Sequence, residues 1–119
     1  MASEASEEEP HEYELQVTYE AAEDLENLYE YKARIAGPAV AKTQQEQILK
    51  TISTIVAFPK LGTPAKNRGR SNRDEVLERF CQPAKASVAY TVEGFLVSII
   101  AVRSDAMNDP WYYFLEEPL

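Results

Sequence analysis

Basic side chains are concentrated in one short part of the sequence, between Phe58 and Arg79. They alternate there with Gly, Asn, Ser and Pro, which is the composition of a loop. Arginine suits an anionic partner, because its planar guanidinium group pairs with a carboxylate through two hydrogen bonds. The sequence therefore predicts a loop that binds an anionic partner surface, with a solvated linker as the alternative. The basic residues of this loop are Lys60, Lys66, Arg68, Arg70, Arg73 and Arg79.

The charge of the whole chain limits what this basic loop can contact. The formal net charge is -8, so long-range steering toward nucleic acid or an anionic membrane would be repulsive. We expect no direct sequence-specific binding of nucleic acid and no membrane association. Residues 1–30 contain eleven Asp and Glu and no Lys or Arg. The candidate partners for the basic loop are an acidic segment of another protein and the chain's own N-terminal tail, through Glu7, Glu8 and Glu9.

Side chains for nucleophilic or metal chemistry are scarce. Cys81 is the only cysteine and His11 the only histidine, so a Cys/His pair would require the N-terminal segment to fold back. We expect Cys81 to be a buried packing residue. One Cys and one His do not make a spaced set of metal ligands, and no phosphate-binding or hydrolase motif is present. The sequence predicts no metal and no cofactor.

The lone cysteine also bears on the compartment, because it permits no internal disulfide and favours a reducing environment. The first residues lack the basic and apolar regions of a signal peptide. No apolar run approaches the roughly 20 residues that span a bilayer. We expect a cytoplasmic protein.

A second candidate surface is the aromatic cluster near the C-terminus. Residues 111–115 read WYYFL, and aromatic residues with a nearby arginine are typical of interface hot spots. The alternative is that they cover the core, as a further strand or a short lid. The predicted partner-binding residues are Lys66, Arg68, Arg70, Arg73, Arg79, Arg103, Trp111 and Tyr112.

The elements that must position these residues begin after an acidic tail. Residues 1–12 are too polar to offset the entropy of ordering, which predicts a disordered tail followed by a single domain over residues 13–119. Residues 13–19 alternate Leu15, Val17 and Tyr19 with polar residues, the pattern of a half-buried strand. A helix follows, with Thr18 as its N-cap and an apolar stripe that includes Leu28 and Ile35. The acidic residues of this helix, Asp24 among them, lie mostly outside the stripe.

Gly37 and Pro38 predict the end of this helix and the start of a second one over residues 38–57, which together form an antiparallel hairpin. Its apolar stripe includes Val40, Ile48, Leu49 and Ile55. Phe58 precedes a proline and should leave the helix and pack back on the core. Three strands are then predicted at 76–80, 85–92 and 95–102. The order β-α-α-β-β-β indicates an α+β fold, a helical hairpin on one face of a mostly antiparallel sheet.

Three stretches in this order resemble the ParE/RelE superfamily of toxins from bacterial toxin-antitoxin modules. They are VTYEAAEDLENLYEYKARIAG, ILKTISTIVAFPKLGTP and VAYTVEGFLVSIIAV, and the resemblance covers residues 13–109. The F-P-x-L-G phrase within the second stretch carries most weight. The resemblance is closer to the ParE branch of the superfamily than to the RelE branch.

The resemblance implies a small growth inhibitor that is neutralised by an antitoxin protein. ParE-like members act on DNA gyrase without being enzymes, whereas RelE-like members cleave messenger RNA in the ribosome. The ParE-like reading predicts a non-enzymatic role in plasmid stabilisation or growth inhibition, through binding of a protein target. The alternatives are an mRNA endoribonuclease and an inactive toxin-fold binding module.

The sequence departs from the superfamily pattern where a nuclease would need basic residues. Tyr90 is followed by Thr91 rather than by Arg, and after Arg103 the chain continues with the acidic residues Asp105 and Asp109. A nuclease would need cations to hold phosphate and a group for acid/base catalysis. If the chain is a nuclease, the residues for these roles are Arg79, Lys85, Tyr90 and Arg103.

Overall fold

The computed structural model describes residues 12–65 and 76–104. Several predictions lie outside these residues and concern the acidic tail, the basic side chains of Lys66, Arg68, Arg70 and Arg73, and the aromatic segment with Trp111 and Tyr112.

The first helix, α1, spans Tyr19–Ala36. Its N-cap is Thr18, whose hydroxyl oxygen accepts the N–H of Ala21 at 3.2 Å, as predicted. The helix ends at Gly37, whose φ of 99° is rarely accessible to a residue with a Cβ atom. The glycine therefore allows the sharp reversal between the two helices.

The second helix, α2, spans Pro38–Ala57, the predicted range. Proline is favourable at its first position because the N–H that it lacks would have no helical acceptor there. The two helices pack against each other as an antiparallel hairpin. Of the helices in the described parts of the chain, none has the length and apolar character needed to cross a membrane.

A five-stranded mixed sheet supports this hairpin. The sheet order is β1-β5-β4-β3-β2, with β1 parallel to β5 and the other neighbours antiparallel. The predicted fold class is confirmed; the two-residue β2 was missed, because Thr-Pro after a glycine carries no strand pattern. The strands are β1 (Glu14–Val17), β2 (Thr63–Pro64), β3 (Leu77–Cys81), β4 (Ala86–Glu93) and β5 (Leu96–Ser104).

The main core lies between the helical hairpin and one face of the sheet. It contains Ala21, Leu28, Ile48, Ile52, Ile55, Cys81, Ala86, Val88, Tyr90, Val97, Ile99 and Val102. Three residues of the predicted apolar stripes, Ile35, Val40 and Leu49, are exposed instead. The physical reason is that the helices form a single layer, so only the side facing the sheet is covered.

The first strand forms where predicted, but the burial pattern predicted for it is wrong. Leu15 is 46% exposed, Val17 is 39% exposed, and Tyr19 is at the start of α1 rather than in the strand. The register pairs Leu15 with Val97 and Val17 with Ile99. The two side chains thus point toward the helix side of the sheet, but β1 is an edge strand, so only one side of each is covered by a neighbouring strand.

A second correction concerns Phe58. The residue leaves the helix as predicted, with φ -138° and ψ 70°, but its ring remains 46% exposed. Pro59 is buried in its place. The 3₁₀ turn Pro59–Leu61 changes the direction of the chain at once, which inserts the proline ring rather than the phenyl ring.

Asp24 connects the helical layer to the sheet. Its side chain is only 6% exposed, and Oδ2 accepts the backbone N–H of Val102 at 2.9 Å. β1 ends opposite Ile99, so no strand residue of β1 reaches the N–H of Val102. The carboxylate therefore takes the place of a missing strand neighbour, which satisfies a buried backbone donor.

Candidate functional site

The entry to the basic loop is fixed by a buried tyrosine. Tyr90, on the middle strand β4, is fully buried, and its hydroxyl donates to the carbonyl oxygen of Pro59 at 2.7 Å. A Cβ atom on Gly62 would lie 3.0 Å from Cζ of Tyr90 and within contact distance of its hydroxyl oxygen. We refer to Pro59, Gly62 and Tyr90 as the tyrosine anchor. The anchor thus connects the F-P-x-L-G phrase of this chain to Tyr90.

Both ends of the basic loop are held at the same edge of the sheet. Residues Thr63–Pro64 pair with Leu77–Glu78, and the N–H of Ala65 donates to the carbonyl oxygen of Val76 at 2.8 Å. Residues 66–75, which carry Lys66, Arg68, Arg70 and Arg73, connect these two adjacent points. The sheet therefore fixes both ends of the segment that carries the predicted basic residues.

Electrostatics at the tyrosine anchor favour the neutral phenol. Burial raises the pKa of Tyr90 above the ordinary value for tyrosine, while the charge of Arg79 and the backbone N–H of Gly62 lower the pKa to a smaller extent. In the described part of the chain, Nη1 of Arg79 is buried without a hydrogen-bond partner. The tyrosine proton is already used in the bond to Pro59, which suits a structural role.

Removing this hydroxyl gives a first testable prediction. Tyr90→Phe is expected to lower the free energy of unfolding by about 1–2 kcal/mol at neutral pH, because a buried carbonyl loses its donor. A raised pKa in the folded state stabilises the fold below about pH 10, the ordinary tyrosine pKa, and this contribution is lost as pH rises through the folded pKa. Urea unfolding of both proteins should therefore show a difference that narrows above about pH 10. A difference that is constant across this range would contradict the prediction.

The residues proposed for a nuclease are brought together only in part. Arg79 pairs with Val88 in the β3–β4 register, so it lies on the helix-covered face together with Tyr90. Arg103 pairs with Ser87 and, because successive strand residues alternate, faces away from the helices. Lys85 lies in the turn between β3 and β4, at a φ of 54°.

Two of the predicted partner-binding residues, Arg79 and Arg103, are therefore on opposite faces of the sheet. The other six predicted partner-binding residues, in the basic loop and the aromatic segment, lie outside the described residues. Among residues 12–65 and 76–104, no cluster of His, Cys, Asp and Glu is arranged to hold a metal ion.

Sequence reasoning missed the burial of two polar side chains, Asp24 and Gln44. Asp24 was assigned to the outer side of α1, and Gln44 was not singled out. Gln44 is buried, and its Nε2 donates to the carbonyl oxygen of Ala84 at 3.1 Å. A signal was available only for Asp24, which begins the D-L-x-x-L spacing of the first stretch that resembles the toxin superfamily. Cys81 is buried as predicted, and its thiol donates to the carbonyl oxygen of Gln47 at 3.5 Å.

Comparison with known sequences identifies a family similarity over most of the chain. The family described as the ParE toxin of the type II toxin-antitoxin system, parDE, matches residues 15–109. No match is found among curated proteins.

Three solved structures share the fold. The chromosomal ParDE system from P. aeruginosa has 23% identity and a TM-score of 0.66, covering 79% of this chain and 97% of that chain. The intact E. coli RelBE toxin-antitoxin complex has 19% identity and a TM-score of 0.50, with coverage of 77% and 95%. The YoeB dimer from Staphylococcus aureus has 20% identity and a TM-score of 0.50, with coverage of 78% and 97%. At these identities the structural similarity concerns the fold.

Proposed function

We propose, because this chain belongs to the ParE toxin family of type II toxin-antitoxin systems, that it inhibits growth by binding a protein target such as DNA gyrase. An antitoxin protein neutralises it, and the toxin works in the cytoplasm as a single domain over residues 13–119. The basic loop is the surface that contacts the target. The proposed mechanism is occupation of the target rather than chemistry.

One observation carries the choice of a non-enzymatic mechanism. Tyr90 is the side chain that would serve acid/base catalysis in a nuclease. It is fully buried, and its hydroxyl donates a hydrogen bond to the carbonyl oxygen of Pro59. A catalytic group must reach the atom that it protonates or deprotonates. The separation of Arg79 from Arg103 by the sheet also supports binding, because a phosphate cannot contact both faces at once.

The fixed base of the basic loop supports its role as the contact surface. Functional residues on loops are effective when a rigid scaffold positions them. Here the tyrosine anchor and the bond from Ala65 to Val76 hold the two ends. The loop charges contrast with the net charge of -8, and this contrast favours a local acidic patch on a protein over a polyphosphate target.

A growth experiment tests the proposal. Induced expression of the intact chain in a bacterial host should reduce viable counts. With the triple variant Arg68→Ala, Arg70→Ala, Arg73→Ala, viable counts should be at least about tenfold higher than with the intact chain. This is expected if each arginine contact with the target contributes about 1 kcal/mol or more to binding. The matched control is Lys42→Ala with Lys50→Ala, which removes exposed positive charge from α2. This control should remain as toxic as the intact chain.

The target is identified by two assays on the same cells and on purified protein. A supercoiling assay with purified gyrase should show inhibition by the intact chain and not by the triple variant. Primer extension on cellular mRNA should show no new cleavage sites. Cleavage sites without gyrase inhibition would replace the proposal with the nuclease reading, and a chain that causes no growth defect would favour the inactive binding module.

A further inference from the structure

A groove lies at the end of the molecule opposite the β4–β5 turn. It is formed by the C-terminal half of α1, the N-terminal half of α2 and the turn between β3 and β4, and its volume is about 470 Å³. We call it the two-lysine groove. Its rim carries Lys32 and Lys85, its apolar lining includes Val40 and Pro83, and Gln44 and Ala84 are buried beneath it.

The floor of the two-lysine groove is preformed. The hydrogen bond from Gln44 Nε2 to the carbonyl oxygen of Ala84 spans from α2 to the turn at 3.1 Å. One helical turn further, the thiol of Cys81 donates to the carbonyl oxygen of Gln47. These contacts fix the turn against the helix, so a ligand would not have to order the groove before binding.

Lys85 has a backbone conformation that is unfavourable for its residue type. Its φ is 54°, and its N–H donates to the carbonyl oxygen of Gln82 at 3.1 Å to close the turn. A residue with a Cβ atom in the left-handed region costs roughly 1–2 kcal/mol, and glycine or asparagine would relieve this cost. The sequence nevertheless places a lysine here, at the rim of the groove.

The charge around the groove is opposite to that of the protein. The chain has 20 Asp and Glu against 12 Lys and Arg, yet among residues 12–65 and 76–104 the side chains that line the groove include two lysines and no acidic one. The exposed side chain of Val40, 47% accessible, lies in the same groove. Positive charge at the rim and apolar surface between match a ligand with carboxylates on either side of an apolar side chain.

We propose that the two-lysine groove binds an acidic segment of the antitoxin, with carboxylates at Lys32 and Lys85 and an apolar side chain against Val40 and Pro83. The identity of this partner rests on the proposed function. A nucleic acid fits less well, because the lining residues in the described part of the chain include no aromatic side chain for base stacking and no arginine. The groove turn follows the C-terminal end of β3, whereas Val76, where the basic residues 66–75 rejoin the sheet, precedes its N-terminal end. This separation is consistent with a toxin that binds its target and its antitoxin through different surfaces.

Binding of short peptides to the full-length chain tests this proposal. The probe is a fluorescein-labelled peptide of alternating Leu and Glu, compared by fluorescence polarisation with the same peptide in which Gln replaces Glu. The acidic peptide should bind more tightly, and its addition to isotopically labelled protein should shift the amide signals of Thr43, Ala84 and Lys85. The double variant Lys32→Glu, Lys85→Glu should weaken this binding about tenfold, a change of about 1.4 kcal/mol.

The matched control has the same change in net charge. Lys42→Glu with Lys50→Glu alters two exposed lysines of α2 that do not line the groove and should change binding less than about twofold. The proposal would be overturned if both double variants lost the same binding affinity, or if the Gln peptide bound as tightly as the acidic peptide. It would also be overturned if the acidic peptide did not bind, or if it shifted only the amide signals of β1. If a single-stranded oligonucleotide bound more tightly than the acidic peptide and shifted the amide signals of Thr43, Ala84 and Lys85, the ligand would be a nucleic acid instead.

This experiment and the growth experiment fail independently. The peptide measurement uses purified protein and does not depend on toxicity. If the chain binds the acidic peptide but causes no growth defect, the binding site in the groove is supported and the toxic function is contradicted. If the chain is toxic but does not bind the peptide, the toxic function is supported and the binding site is contradicted.

Discussion

Gly62→Ala is expected to lower the free energy of unfolding by about 3 kcal/mol, because it combines overpacking with the loss of a buried hydrogen bond. Gly62 has φ -72° and ψ 167°, a conformation open to any residue, so the backbone does not require a glycine. The added Cβ would instead meet the hydroxyl of Tyr90 and lie 3.1 Å from the carbonyl oxygen of Glu78. Neither neighbour can move easily, since Tyr90 is fully buried and Glu78 pairs within the sheet.

Thermal and urea unfolding would measure this effect, and the melting temperature should fall by roughly 10–20 °C for a domain of this size. Lys60→Ala is the control, because Lys60 is exposed in the same 3₁₀ turn. In the double variant Gly62→Ala, Tyr90→Phe the hydroxyl is absent, so its total loss should be smaller than the sum of the two single losses. Full additivity, or a Gly62→Ala protein as stable as the parent, would show that the close approach does not constrain the fold.

Asp24→Ala is expected to cost about 2–3 kcal/mol, the range for a hydrogen bond to a charged group whose buried donor is then left unpaired. The donor is the N–H of Val102, at 2.9 Å from Oδ2. Val102 itself is part of the main core, so a water molecule cannot readily replace the carboxylate. Asp24→Asn keeps an acceptor oxygen and should lose less than Asp24→Ala.

Hydrogen exchange separates this specific effect from general destabilisation. The amide of Val102 should lose protection in Asp24→Ala by more than neighbouring core amides such as that of Val97. Glu30→Ala makes the same change in charge at an exposed position of α1 and should leave both amides unchanged. If Asp24→Ala were as stable as Glu30→Ala, the hydrogen bond between Asp24 and Val102 would not contribute significantly to the stability of the fold.

Local sequence signals predicted the helical part of this structure well. Gly37 and Pro38 mark the boundary between the helices because their backbone preferences act on the residues themselves. The burial of Leu28, Ile48 and Ile55 followed from helical periodicity. Strands 3 to 5 were also predicted to within two residues at each end. β4 and β5 are long runs rich in β-branched and apolar residues, and β3 combines apolar with charged residues.

Features that depend on distant neighbours were not predictable in this way. Alternation along β1 does not reveal that the strand is at the sheet edge, where Leu15 and Val17 remain exposed. Periodicity placed Asp24 with the solvent-facing acids, because its partner Val102 is far along the chain. The candidate site shows the same limit. The basic residues are evident from composition, but the tyrosine anchor depends on contacts between two segments that are about 30 residues apart in the sequence.

The parallel pairing of β1 with β5 has a consequence for the order of folding. The helical hairpin and the β3–β4–β5 meander each join neighbours in the sequence, whereas Glu14 pairs with Leu96. Closing so long a loop carries an entropic penalty, and such nonlocal pairings form late. On the ribosome, the N-terminal strand must wait until β5 has emerged from the exit tunnel. The complete sheet therefore assembles only after β5 has been synthesised, so β1 and the helical hairpin remain without their strand partner until then.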